Sequence, residues 1–392
     1  GTQMEIPGQY LDMKEPTPDQ HVKVDRVLPE IEVVDRNLAC HRRITIRGND
    51  GKLYHFIVEA TGTAISSSDE RTLQLSQLMN RCMEKEKQTR RRHMTLRIHP
   101  IVGLAPRCRL IQDDPKLISL MEVLEGFLSA QGQTADGVAL KFAEKAQMLS
   151  RTEKDPLMAA MNEVADILPD TVLLDFIRSQ IPTNAHLWSF RKHLAVQYAC
   201  QVVVARALFV APATPSRLVI SQTQGDVVLA GATPGLSKDM LRMEDGESMV
   251  VPFRMTRMMT TLLSPIGLEG GFSAALGAAS MALSHPHRQL HHHLCSLLRE
   301  ELLAAHAAAK PPTSVQAAQE HSRAMLGKAE ECAAQVVNRV VELSPATALS
   351  QEKEPKDGDL PLPLNNKVIQ LIMAAADPVK QIEMPCLWHP WA

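Results

Sequence analysis

The sequence predicts an α+β fold built as two lobes, a small β-rich one over residues 1–112 and a larger helical one over 113–345. Three observations predict it. A hairpin with a strong turn signal lies near the start, one amphipathic helix sits between strand-like segments, and helical periodicity dominates from Pro115 onward.

In chain order, the first 30 residues are proline-spaced and read as irregular, followed by a short apolar run, Ile31-Glu32-Val33-Val34. The hairpin comes next: Ile44-Thr45-Ile46-Arg47, the turn Gly48-Asn49-Asp50-Gly51, and 52–58. Asn and Gly tolerate positive φ in the turn, and both flanks carry β-branched or aromatic residues. Residues 69–86 place Leu75, Leu78, Met79 and Cys82 on one helical face. Ser66-Ser67-Ser68 ahead of them supplies N-cap candidates, and Asp69 suits the helix dipole. Residues 93–104 alternate like a strand, and Leu110-Ile111 continues the sheet.

Amphipathic helices are predicted over 117–128, 140–149, 156–168 and 171–179, then an apolar helix over 188–209. The most apolar stretch, 194–213, is interrupted by Gln197, Gln201 and Arg206, so it reads as a buried core helix and not a membrane span. A Pro-, Gly- and Thr-rich stretch runs to about Val250 before helices resume over 256–306. Residues 307–322 and 346–364 read as linkers around a helix at 324–343, and 365–392 forms a last compact segment.

Composition narrows the function classes. Of 392 residues, 45% are hydrophobic and 22% charged, as in soluble globular proteins. The formal net charge of -2 gives no global basic surface for nucleic acid, and Arg90-Arg91-Arg92 reads as a solvated helix end. Seven cysteines without a CxxC pair read as reduced thiols of an intracellular protein. Nothing at the start looks like a signal peptide; the chain reads as cut from something longer, with a natural C-terminus.

Several blocks resemble the phosphatidylinositol 3-kinase-related kinases, in that family's order. Residues 43–56 are similar to the paired strands beneath the nucleotide, and Asp69-Glu70-Arg71 to the start of the small lobe's helix. Trp188 and Arg191 stand where the family has a Trp and an Arg ahead of its catalytic loop. Pro252-Phe253-Arg254 resembles the end of its activation loop, and the tail with Trp388 and Trp391 resembles the FATC motif. The Trp-His-Pro-Trp ending and the Arg-Gly-Asn-Asp-Gly-Lys hairpin are most similar to the TRRAP/Tra family of pseudokinases within it. The resemblance implies a protein-kinase-like bilobal fold closed by a C-terminal FATC helix.

It also implies an empty catalytic kit. Phosphoryl transfer needs a lysine on the phosphates, an Asp and an Asn on Mg²⁺, and an Asp that orients the hydroxyl. Aligned on the family, Glu59 takes the lysine position and Pro212 that of the catalytic Asp. Thr214 replaces the loop His, Arg217 the metal-binding Asn, and Gly231 the metal-binding Asp. A shifted register would bring Asp226 toward the metal position; a solvated turn residue is the plainer reading. The acidic run 244–247 reads as an exposed loop.

Outside that kit, His287, His291 and Cys295 fall at i, i+4 and i+8 and could face one way on a helix, with Zn²⁺ weighed against an exposed histidine-rich face. Trp388 and Trp391 are expected to pack on the lobe or anchor a partner. The resemblance implies a nuclear scaffold without cofactor or metal. Its implied partners are subunits of histone acetyltransferase coactivator complexes such as SAGA, transcription activators, and upstream FAT and helical-repeat regions of the same chain. The rival reading is an active or nucleotide-binding atypical kinase.

Overall fold

The computed structural model describes residues 4–11, 17–36, 39–61, 68–138, 140, 167–207, 214–230, 251–264, 267–309, 314–344, 366–382 and 391. The N-terminal lobe is a five-stranded antiparallel sheet. Its strands are β1 (Val24–Arg36), β2 (Ala39–Gly48), β3 (Leu53–Ala60), β4 (Ile101–Ala105) and β5 (Cys108–Asp113), in the order β1-β2-β3-β5-β4. The β2–β3 hairpin forms as the sequence predicts, with Gly51 at φ 79 in its turn.

Two strand expectations are corrected. Strand β1 already begins at Val24, where an irregular lead-in was expected; Pro29 sits within a register shift between Val27 and Ile31. Proline lacks the ladder donor and is tolerated at such a bulge on an edge strand. Conversely, 93–104 becomes a strand only from Ile101. The alternation of buried Met94 and Leu96 is real, but Leu96 pairs with a side chain. Asn80 donates to the Leu96 carbonyl at 2.9 Å and accepts from its N–H at 2.6 Å, standing in for a strand neighbour.

Helix α1 (Ser68–Lys85) buries Leu75, Met79, Cys82 and Met83, the face its spacing predicts; α2 (Lys87–Arg91) follows. The predicted helix at 117–128 starts later. Leu117–Ser119 is strand β6, pairing with β7 (Leu218–Ser221), which pairs in turn with β8 (Val227–Leu229). Ser119 then closes a capping box with Glu122 at the start of α3 (Leu120–Ala130).

Helices α4 (Val172–Gln180) and α5 (Asn184–Ala207) match expectation. The latter is the lobe's axis, buried on nearly all sides from Leu187 to Val204. Its buried amide Gln201 is satisfied by the Val227 carbonyl at 3.0 Å, which ties α5 to β8. Around it pack α6 (Arg257–Leu263), α7 (Ser273–Ser284), α8 (Leu290–Ala309) and α9 (Val315–Glu342).

The predicted linker at 307–322 is helical wherever it is described: α8 continues to Ala309 and α9 begins at Val315, capped by Ser314. Alanine and glutamine are good helix formers, and the exposed polar face misled the compositional reading. The chain ends in α10 (Asn366–Ala376) and α11 (Pro378–Ile382). The helices predicted at 141–166, the Ser66-Ser67 cap, the acidic run 244–247 and the linker 346–364 lie outside the described residues.

One large core unites the helical lobe with α1; a small one, Ile6, Ile46, Phe56 and Leu110, underlies the sheet. Because α1 belongs to the larger core, the two lobes share apolar packing along the back of the cleft between them.

Candidate functional site: the cleft between the lobes

The sheet, α1, the extended residues 96–101 and the β7–β8 hairpin enclose a cleft of about 460 Å³. Glu59 projects into it from β3, directly opposite Arg109 on β5. Arg109 Nε donates to Glu59 Oε2 at 2.8 Å, and its Nη2 donates to Asp69 Oδ2 at 2.5 Å on the first turn of α1. The arginine is only 6% exposed. Burial alone would lower its pKa; the hydrogen bonds to Glu59 and Asp69 outweigh it and hold the guanidinium above its ordinary value. The carboxylate at the expected lysine position is thus tied to an internal cation. Arg109 escaped sequence reading, although an arginine inside the apolar strand Cys108–Asp113 demands a partner and so was a usable signal.

On the opposite wall, Thr214, Pro215, Ser216 and Arg217 form the turn entering β7. The Thr214 carbonyl accepts from the N–H of Arg217 at 2.9 Å and of Leu218 at 3.2 Å. Ala230, just past β8, donates its N–H to the Arg217 carbonyl at 2.8 Å. The chain entering β7 and the chain leaving β8 therefore lie side by side, Arg217 on one and the approach to Gly231 on the other. Pro212 and Gly231 themselves lie outside the described residues.

Asp226 is fully engaged. Its Oδ1 meets His193 Nε2 at 2.7 Å and its Oδ2 accepts from Arg97 Nη1 at 2.5 Å. The hydrogen bond to His193, opposed by burial and aided by Arg97, holds its carboxyl below the ordinary value of 3.8. Arg97 also donates to Asp114 at 2.5 Å, so one guanidinium links the connection between the lobes to the β7–β8 turn. Gly225 makes that turn possible: at φ 83, a Cβ there would sit 2.8 Å from the Phe190 carbonyl oxygen. This excludes Asp226 as a free metal ligand in the structure and replaces the solvated-turn reading with an interlobe ion pair.

Among the expected framework residues, Phe253 packs against Phe272 at 5.8 Å and Tyr198 at 6.5 Å between ring centroids. The Tyr198 hydroxyl donates to the Arg254 carbonyl, and burial pushes the Arg254 guanidinium down to about 10. Pro252 is partly buried beside them. Just beyond, Gln381 donates to the carbonyls of Met255 at 2.6 Å and Ala375 at 2.9 Å, fastening α11 to the segment after Arg254. Trp391 is wholly buried, as packing against the lobe requires; Trp388 lies outside the described residues. Trp188 differs: 43% exposed, it carries the Lys192 ammonium 5.4 Å from its ring centroid.

The histidine cluster does not form the predicted face. His287 belongs to a separate turn, Pro286–Arg288, and Gln289 adopts φ 52 before α8 begins, leaving only His291 near Cys295, at 3.7 Å. Among the described residues no group of three His, Cys, Asp or Glu could hold a metal, and no helix is long and apolar enough to cross a membrane.

Residues 61–306 match the family described as Phosphatidylinositol 3- and 4-kinase, which is well over half of the chain. The chain belongs to that family. Within this kinase family its similarity is to the TRRAP/Tra1 proteins. It is 26% identical to the human Transformation/transcription domain-associated protein over 99% of its length and 10% of the relative's. The mouse counterpart gives the same identity over 99% of the chain and 15% of the relative. The SAGA complex/NuA4 acetyltransferase complex subunit Tra1 of Schizosaccharomyces pombe is 26% identical over 99% of the chain and 11% of that protein. The chain thus spans about a tenth to a seventh of the curated relatives it matches. In structure it is similar to the open conformation of CtTel1, with TM-score 0.66, 15% identity and coverage of 97% of this chain and 13% of that one. Kinase-family membership and the fold agree on a bilobal, protein-kinase-like architecture.

Proposed function

We propose that the chain is the pseudokinase region, with a FATC-like tail at 365–392, of a non-enzymatic scaffold in nuclear acetyltransferase coactivator complexes. The observation that carries this reading is Glu59. It stands where the family places the phosphate-binding lysine, and its carboxylate is neutralised by Arg109 from inside the protein. Phosphate oxygens approaching it would meet Glu59 and Asp69 with no unpaired lysine between them.

The substitutions at Pro212, Thr214, Arg217 and Gly231 act in the same direction. Positioning and charge neutralisation are nearly all a kinase contributes, so proline, threonine, arginine and glycine cannot replace a base and two metal ligands. The framework outside the cleft persists: the Phe253–Tyr198–Phe272 cluster, the Gln381 clamp and the buried Trp391 all maintain shape. Retained shape without retained chemistry is what a docking core for other proteins requires. The partners proposed are acetyltransferase-complex subunits, transcription activators and the helical regions that precede this segment in longer relatives. Tagged full-length protein purified from its own cells should bring acetyltransferase subunits with it; a preparation free of them would sink the scaffold reading.

A further inference from the structure

At about 460 Å³ the interlobe cleft falls within the roughly 300–1,000 Å³ typical of small-molecule sites. Its walls are largely aliphatic: Ile57 from β3, Leu73 from α1, Leu96 and Ile101 from the extended segment, Val204 from α5 and Leu229 from β8. Its charges are already paired with one another. Arg109 holds Glu59 and Asp69, Arg97 holds Asp114 and Asp226, and Asp113 is held by Arg43 at 2.9 Å. A polyphosphate would have to displace carboxylates from both guanidinium groups in a poorly hydrated space, where breaking a pair costs about 3–5 kcal/mol.

Two lining side chains nevertheless carry buried polar atoms without a partner, Arg109 Nη1 and His99 Nε2. Burial holds the His99 ring below its ordinary pKa, and its Nδ1 lies 3.0 Å from the Gln112 carbonyl oxygen. The ring is therefore neutral at pH 7, with the proton on Nδ1 and a lone pair on Nε2. Arg109 offers one spare donor and His99 one spare acceptor.

We infer that this cleft binds a small, uncharged, predominantly apolar ligand bearing one hydrogen-bond acceptor and one donor, and not a nucleotide. The apolar walls supply the driving force by desolvation. Satisfying Arg109 Nη1 and His99 Nε2 supplies orientation, because each group is otherwise buried unpaired. The inference is independent of the scaffold role, since a site of this chemistry is compatible with either outcome of the purification.

The test is photolabelling of the full-length protein with 3-trifluoromethyl-3-phenyldiazirine, with labelled peptides mapped by mass spectrometry. Labels are expected on peptides containing Ile57, Leu96 and Ile111. Benzamide, an uncharged ring carrying a donor and an acceptor, should abolish that labelling; ATP with Mg²⁺ should leave it unchanged. In Ser76→Trp, which places an indole into the cleft from α1, the labelling should be lost. Absence of label from these peptides overturns the inference, as does undiminished labelling in a folded Ser76→Trp protein. Protection by ATP with Mg²⁺ but not by benzamide also overturns it, in favour of a nucleotide site. The competition arms decide the matter in the unaltered protein even where Ser76→Trp does not fold.

Discussion

Replacing Glu59 by lysine restores the family's residue and should damage this protein. The new ammonium would lie beside Arg109, whose Nε now sits 2.8 Å from Glu59 Oε2. An attraction is lost and a repulsion added. Each is worth about 4 kcal/mol at 4 Å and an effective dielectric near 20. The Glu59 side chain is 23% exposed, so a lysine there can swing partly into water. That relief brings the net cost to about 3 kcal/mol, at the lower end for disrupting a buried pair. Hydrogen–deuterium exchange of peptides covering β3 and β5 reports this local stability; it should accelerate about a hundredfold. In an Arg109→Gln background the same Glu59→Lys change should cost about 2 kcal/mol less, because the repulsion is gone. Equal effects in the two backgrounds, or unchanged exchange in Glu59→Lys alone, would refute the pairing on which the argument rests.

Other consequences follow from the same contacts. Gly225→Ala forces a Cβ against the Phe190 carbonyl oxygen at φ 83 and should cost about 2–3 kcal/mol, read as a lower thermal midpoint. Gln381→Ala leaves the Met255 and Ala375 carbonyls unpaired; a cost of about 2 kcal/mol should appear as faster proteolysis within α10 and α11, without change at the cleft. Asp226 has a folded-state pKa below its ordinary 3.8, so its stabilisation is complete above that value and is lost as pH falls through the lower one. The stability gap between the natural protein and Asp226→Asn should therefore be present at about pH 5 and close in acid below 3.8, measured by urea unfolding across pH.

Much of this architecture was legible because it is written in local patterns. Gly48-Asn49-Asp50-Gly51 fixes the hairpin, and the spacing of Leu75, Met79 and Cys82 fixes the buried face of α1. What escaped depends on contacts distant in sequence. Met94 and Leu96 alternate like a strand, yet their neighbour is the Asn80 amide, which no periodicity announces. Leu117–Ser119 is a strand because β7, a hundred residues later, offers it an edge. In the cleft, Glu59 was legible as a charge at the wrong place, whereas Arg109 and Asp69 as its neutralising partners were not. Asp226 read as a loose turn residue because the two side chains that seize it, Arg97 and His193, lie far away in sequence.

Phosphate transfer is the most direct test of the central claim that the kinase shape persists without its chemistry. The full-length protein, incubated with radiolabelled ATP and Mg²⁺ alongside a heat-killed control, should label neither itself nor a generic Ser/Thr substrate above that control. Turnover that disappears in Asp226→Ala would contradict the claim and return the protein to the enzymes of its family.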